Sequence, residues 1–276
     1  MLAATTARRS SASTTAASPA ARQEANATGP PCVLITIPIS HYCEKARWAL
    51  DRAGLPYREE PHLQAIHWAH VWRAGRGRTA PVLVTAEGAL TESSDILRWV
   101  DARSDLDLYP EPEVAALEAH LDAELGPHGR RWMYHRILAR PDLVRAYGAP
   151  GVPRWERAVM PAFLPLVSRV INRYLDVDDA TAAESRERVR AVFGEIADRL
   201  ADGRRFLVGE TFTAADLTFA ALAASVLVPP RYGVPLPQPE QLPEPFAGEV
   251  RALREHPAGR FAVRLYDQER PYTPRR

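Results

Sequence analysis

The chain has 276 residues, enough for two domains with separate cores. Hydrophobic residues make up 46% and charged ones 25%, an ordinary globular balance, and the apolar run 217–228 is too short to span a bilayer. A net charge of +1 offers no electrostatic argument for nucleic acid or an anionic membrane as partner. Two cysteines, Cys32 and Cys43, support neither a disulfide scaffold nor a Cys-based zinc site, and they fit a reducing cytosol.

Residues 1–31 are rich in Ala, Ser and Thr and carry no apolar periodicity, so they are expected to be a disordered tail. The composition equally suits an organellar transit peptide or an overlong start assignment. Val33-Leu34-Ile35-Thr36-Ile37 then reads as a buried strand that Pro38 limits. Beyond it, Ala46, Ala49, Leu50 and Ala53 give one apolar helical face, so Ser40 stands where a strand ends and a helix begins. Leu55 to Glu60 reads as a second strand, 64–74 as an irregular helix, and Thr79 to Val84 as a strand opened by Pro81. Glu87-Gly88 turns into Ala89-Leu90, and Ile96 to Val100 form a last helix. That order implies a four-stranded mixed sheet with helices packed on it, over 32–103.

A linker covers 104–110, and from 111 to 270 the periodicity is helical throughout. Helices are expected at 111–126 with a continuation to 147, then 154–176, 182–202, 213–228, 246–256 and 258–267. Pro141, Pro153, Pro161 and Pro165 are expected to bend or divide the first two. The proline-rich stretch 229–245 should be an extended surface loop. Thr213-Ala214-Ala215-Asp216, with Phe212 before it and Leu217 after, is a capping box with a hydrophobic staple and fixes a helix start.

Three features converge on one place. Ser40 lies at the first amides of a helix, where unpaired N–H groups favour an anion such as a thiolate; a simple N-cap is the alternative. Ala80-Pro81 opens a strand, and a cis bond there would turn the Ala80 backbone outward. Glu92-Ser93 lies at another helix N-terminus, fit to hold a carboxylate.

On Ser40-His41-Tyr42-Cys43, Thr79-Ala80-Pro81-Val82-Leu83, Glu92-Ser93-Ser94-Asp95-Ile96 and the Phe212–Leu217 element, residues 32–267 resemble a cytosolic glutathione S-transferase. The resemblance implies a thioredoxin-like α/β N-terminal domain followed by an all-α helical-bundle domain. It implies glutathione as co-substrate, with Ser40 donating a hydrogen bond to the sulfur so that thiolate attacks a small hydrophobic electrophile. Ala80, before a cis Pro81, would pair its backbone with the cysteinyl part, Glu92 and Ser93 would hold the γ-glutamyl end, and Arg78 (or Arg76) the glycyl carboxylate. Further expectations are a homodimer, a cytoplasmic location, and no nucleic-acid or membrane partner. A glutathione-dependent thiol transferase, lyase or isomerase, or a non-catalytic binding protein on the same fold, are the competing readings.

Two departures bear on the chemistry. Ala precedes Pro81 where the family usually has Val. Cys43 stands where a glutaredoxin keeps its second cysteine, but Ser40 occupies the first position, so no disulfide can form between them; Cys43 is read as a core residue or a lone redox thiol. The electrophile pocket is expected between the domains, with His41, Tyr42, Trp132, Tyr134 and His135 as candidates; Trp132 and Tyr134 could instead be core aromatics. His67 and His70 are three apart but have no third ligand nearby in sequence, so no metal site is expected.

Overall fold

The computed structural model describes residues 32–75 and 77–271. The expected tail at 1–31, and Arg76, lie outside them. The N-terminal part runs β1 (Cys32–Thr36), α1 (His41–Arg52), β2 (Tyr57–Pro61), α2 (His67–Gly75), β3 (Val82–Thr85), β4 (Gly88–Leu90) and α3 (Ser93–Asp101). The four strands form one mixed sheet in the order β2-β1-β3-β4, with β1 parallel to β2 and antiparallel to β3. This is the four-stranded mixed sheet the element order implied, in the thioredoxin-like arrangement the family resemblance implied.

The remainder is helical: α4 (Pro112–Ile137), α5 (Pro141–Tyr147), α6 (Arg154–Tyr174), α7 (Asp179–Leu200), α8 (Ala214–Leu227), a 3-10 turn at Pro239–Gln241, α9 (Phe246–Glu255) and α10 (Pro257–Gln268). Pro141 divides the first long helix and Pro153 caps the next. Pro161 and Pro165 do not divide α6, which runs through both. Each costs the carbonyl four residues earlier its partner, but residues 157, 161 and 165 are all exposed, so water satisfies what the prolines leave open. The stretch 229–245 is a loop with a short turn at Pro239–Gln241, but it does not simply run over the surface: Tyr232 and Leu242 are buried in apolar clusters and Leu236 packs against both.

The core is organised around α8. Thirteen of its fourteen residues are buried, so it is apolar on nearly every side, and α1, α4, α9 and α10 pack around it. A helix so enclosed cannot leave its end amides to water. The Ala214 N–H donates to the Leu108 carbonyl (2.9 Å), and Asp216 ties the chain ahead of the helix to its first turn, accepting from the Thr213 N–H (2.9 Å) and hydroxyl (2.9 Å) and from the Leu207 N–H (2.8 Å). Burial pushes the Asp216 carboxyl up to about 6 against the pull of those donors. At the other end Val228 takes a left-handed φ of 41°, and Arg254 donates to the carbonyls of Leu227 and Val228.

Asp216→Ala strands the Leu207 and Thr213 donors in the core. At about 1–3 kcal/mol per stranded buried group, stability at pH 7 should fall by about 2–4 kcal/mol, read from the midpoint and slope of urea denaturation.

Candidate active site

The strand registers gather the predicted residues at one edge of the sheet. Ile35 pairs with Val82, and Leu83 with Leu90. Extending those registers sets Pro81 beside Thr36 and Glu92 beside Pro81, at a spacing of about 4.8 Å per strand. The Ala80-Pro81 bond is cis. Ser40 follows β1 at this same edge, so Ser40, Ala80 and Glu92-Ser93 emerge on one side of the sheet. Ser93 is buried at the first turn of α3, while Glu92 and Arg78 are exposed.

Ser40 is the N-cap of α1, and its Oγ accepts from the Cys43 N–H at 3.4 Å. That bond uses a lone pair of the hydroxyl, and the Ser40 side chain also lies within hydrogen-bonding reach of the Cys43 thiol. The loop ahead of it is held tightly. Arg47 reaches back from α1 to the carbonyls of Pro38 (2.9 Å) and Ile37 (3.4 Å), and the Tyr232 hydroxyl donates to the Ile39 carbonyl at 3.2 Å. Arg47 is fully buried, and Glu59 (2.7 Å) and Glu44 (3.3 Å) answer its charge. Those two carboxylates hold its pKa above the ordinary guanidinium value despite burial.

Cys43 is a core residue. It is fully buried, its Sγ accepts from the Ile37 N–H, and burial raises its thiol pKa. A thiol so placed stays protonated and is a poor nucleophile.

Lys45 ties the two helix N-termini of the site together. Its buried ammonium contacts Ser94 Oγ on α3 at 3.2 Å and, on α4, Glu118 at 2.9 Å and Asp122 at 2.7 Å. The Tyr42 hydroxyl donates to the Asp122 carbonyl at 3.1 Å, in a gap left by Gly126, where a Cβ would lie 1.9 Å from that oxygen.

An apolar cavity of about 640 Å³ opens next to Ser40. Ile37 and Ile39 of the β1–α1 loop form one wall, with Leu63, Gln64 and Ile66 after β2; the opposite walls are the end of α4 and the length of α6. Every exposed large hydrophobic residue among those described lies on α2 or α6: Trp68, Trp72, Trp155, Phe163, Leu166, Val170 and Tyr174. The cavity receives Tyr134, whose hydroxyl bonds Gln64 and whose pKa burial raises to about 12.

His41, Tyr42 and Trp132 do not line the cavity. His41 is buried against Tyr42, rings 4.6 Å apart, and burial, with Arg130 nearby, pushes its pKa down to about 3. Trp132 sits in the bundle beside Phe193 and Leu253. Residues two apart on a helix point roughly 200° apart, so Trp132 and Tyr134 cannot both face one cavity. His135 points outward to Asp179 at 2.8 Å.

The histidines group differently from their spacing. His70 stacks on His62, not on His67, and Glu156 of α6 joins them. These three come from separate elements, so no local motif announces them.

A family model for the glutathione S-transferase N-terminal domain matches residues 34–111, and one for the glutathione S-transferase C-terminal domain matches 179–248, together more than half of the chain. The chain belongs to the glutathione S-transferase family. Among solved structures, an apo glutathione S-transferase III is 19% identical with a TM-score of 0.56, covering 90% of this chain and 100% of that one. A glutathione S-transferase of Xanthobacter autotrophicus Py2 is 20% identical with a TM-score of 0.51 (88% and 95% covered), and transferase F2 of Populus trichocarpa 15% identical at 0.52 (86% and 99%). At these identities the likeness is one of fold. No curated protein matches the chain.

Lys45→Met should cost about 3–5 kcal/mol, because it removes the buried ammonium that faces both Glu118 and Asp122. Guanidinium unfolding of wild type and variant measures the difference.

Proposed function

We propose that the chain is a glutathione transferase of the serine type, moving glutathione onto a small hydrophobic electrophile with an alkyl or aryl carbon to give up. One observation carries the reading: Ile39, the residue before Ser40, is a wall of the large apolar cavity, so a nucleophile held at Ser40 would face an apolar substrate across one residue.

In this reading glutathione lies along the sheet edge. Its cysteinyl part pairs with the Ala80 backbone beside cis Pro81. Ser93 and the free amides of α3 take the γ-glutamyl carboxylate, with Glu92 near the amine, and Arg78 takes the glycyl carboxylate. The sulfur meets the Ser40 hydroxyl proton and the first amides of α1, which favour its anion. The thiolate then attacks carbon, the new carbon–sulfur bond forms, and the leaving group departs into the open side of the cavity. The apolar walls weaken competition from water at the reacting carbon. Tyr134 is the aromatic we assign to the electrophile side. Dithiol exchange is disfavoured because position 40 is serine and the Cys43 thiol is buried. A homodimer and a cytoplasmic location complete the reading on the strength of family membership.

Ser40→Ala removes a hydrogen bond to a charged sulfur, about 1.5–3 kcal/mol, so kcat towards a chlorodinitrobenzene should fall about 10–100-fold and the pH–rate curve should move to higher pH. Ser93→Ala should weaken glutathione binding by calorimetry about tenfold with a smaller change in kcat. Full activity in Ser40→Ala would remove the proposed role of that hydroxyl.

A further inference from the structure

We infer that His62, His70 and Glu156 form a site for a divalent transition-metal ion of the zinc class, fastening α6 to the segment after β2. Each of the three side chains offers a ligand atom, and those atoms lie within 4.8 Å of one another. His62 and Glu156 are buried, and His70 is half-buried on α2.

The protein alone does not complete the bonding of this cluster. Glu156 is fully buried on the first turn of α6. One of its oxygens accepts the Leu63 N–H at 2.8 Å and the other lies 2.6 Å from His62 Nδ1. The second nitrogen of His62, Nε2, is buried with no partner. Above that ring lies the His70 imidazole, 3.5 Å between centroids and within 19° of parallel.

The chemistry of the donor set is that of zinc: two imidazoles and a carboxylate, with a fourth position for water. Ligand atoms in a tetrahedral shell with bonds of about 2.0–2.1 Å stand about 3.3 Å apart. Imidazole lone pairs lie in the ring plane, so His70 must turn out of its stack on His62 and draw in by an ångström or so for both rings to reach one ion, which its partly exposed position allows. Cys32 and Cys43 lie on other elements and are absent from the cluster.

The site has a mechanical consequence. Glu156 lies one turn before Met160, which with Leu63, Ala149 and Val152 makes a small apolar cluster at the cavity wall. A bound ion would add a fixed joint where α6 meets the α/β part.

The full chain, stripped with a chelator and dialysed against zinc, should bind about one equivalent per chain, and its thermal midpoint should rise. His70→Ala should weaken zinc binding at least about tenfold, since loss of even an outer partner costs about 10–100-fold, and should abolish the thermal rise. Glu156→Gln should weaken zinc binding in the same direction. Cobalt in place of zinc gives a visible absorption spectrum of low-symmetry nitrogen–oxygen coordination in the wild type, a reading independent of how the variants fold. No bound zinc or cobalt in the wild type, or equal binding by wild type and His70→Ala, overturns the proposal. Since none of these measurements uses glutathione, the outcome is independent of the activity proposed above.

Discussion

One buried ammonium sets the geometry on which the site depends. The first turns of α1 and α3 each offer unpaired amides, and a tripeptide can use both only if their separation is fixed. Lys45 fixes it by contacting Ser94, the neighbour of Ser93, from within α1. Its charge is then anchored to α4 through Glu118 and Asp122. Desolvating an ammonium is expensive, and two carboxylates with a hydroxyl are needed to offset the cost. Glu118 is shared further with Arg98 and with the Tyr109 hydroxyl. The helical part thus takes part in building the side proposed for glutathione as well as the apolar side.

Much of this was legible in the sequence because its signals are local. A proline opening a strand, a serine ahead of an apolar helical face and a Thr-x-x-Asp box each declare their backbone within a few residues, and each element forms where expected. The phase of α4 was legible in principle, since Trp132 and Tyr134 fall on opposite faces, but which face meets the cavity depends on how α4 packs against α8. The union of His62, His70 and Glu156 was out of reach. It requires the path of α6 relative to β2, and nothing in either segment encodes that by spacing. Pro161 and Pro165 leave α6 undivided for a related reason: a proline's effect on a helix depends on whether water reaches the carbonyl it orphans, and exposure is a tertiary property.

The stretch between the two family matches, residues 112–178, divides physically in two. Its first part, α4, belongs to the bundle and packs against α7 and α8. Its second part, α5 and α6, lies apart from that packing and encloses the cavity instead. A helix relieved of core duty can keep prolines and expose aromatics that a bundle helix could not. Substrate preference can therefore vary through α6 without disturbing the α8-centred core or the sheet edge, while Glu156 remains the point at which the wall is tied down.

Arginine supplies all the remaining side-chain positive charge, and Lys45 is the only lysine in the sequence. Reagents that acylate primary amines consequently find a single side-chain target, sealed among α1, α3 and α4. Its modification requires those helices to part, so the rate at which Lys45 itself gains such a label is a direct clock for the opening of the joint between α1, α3 and α4.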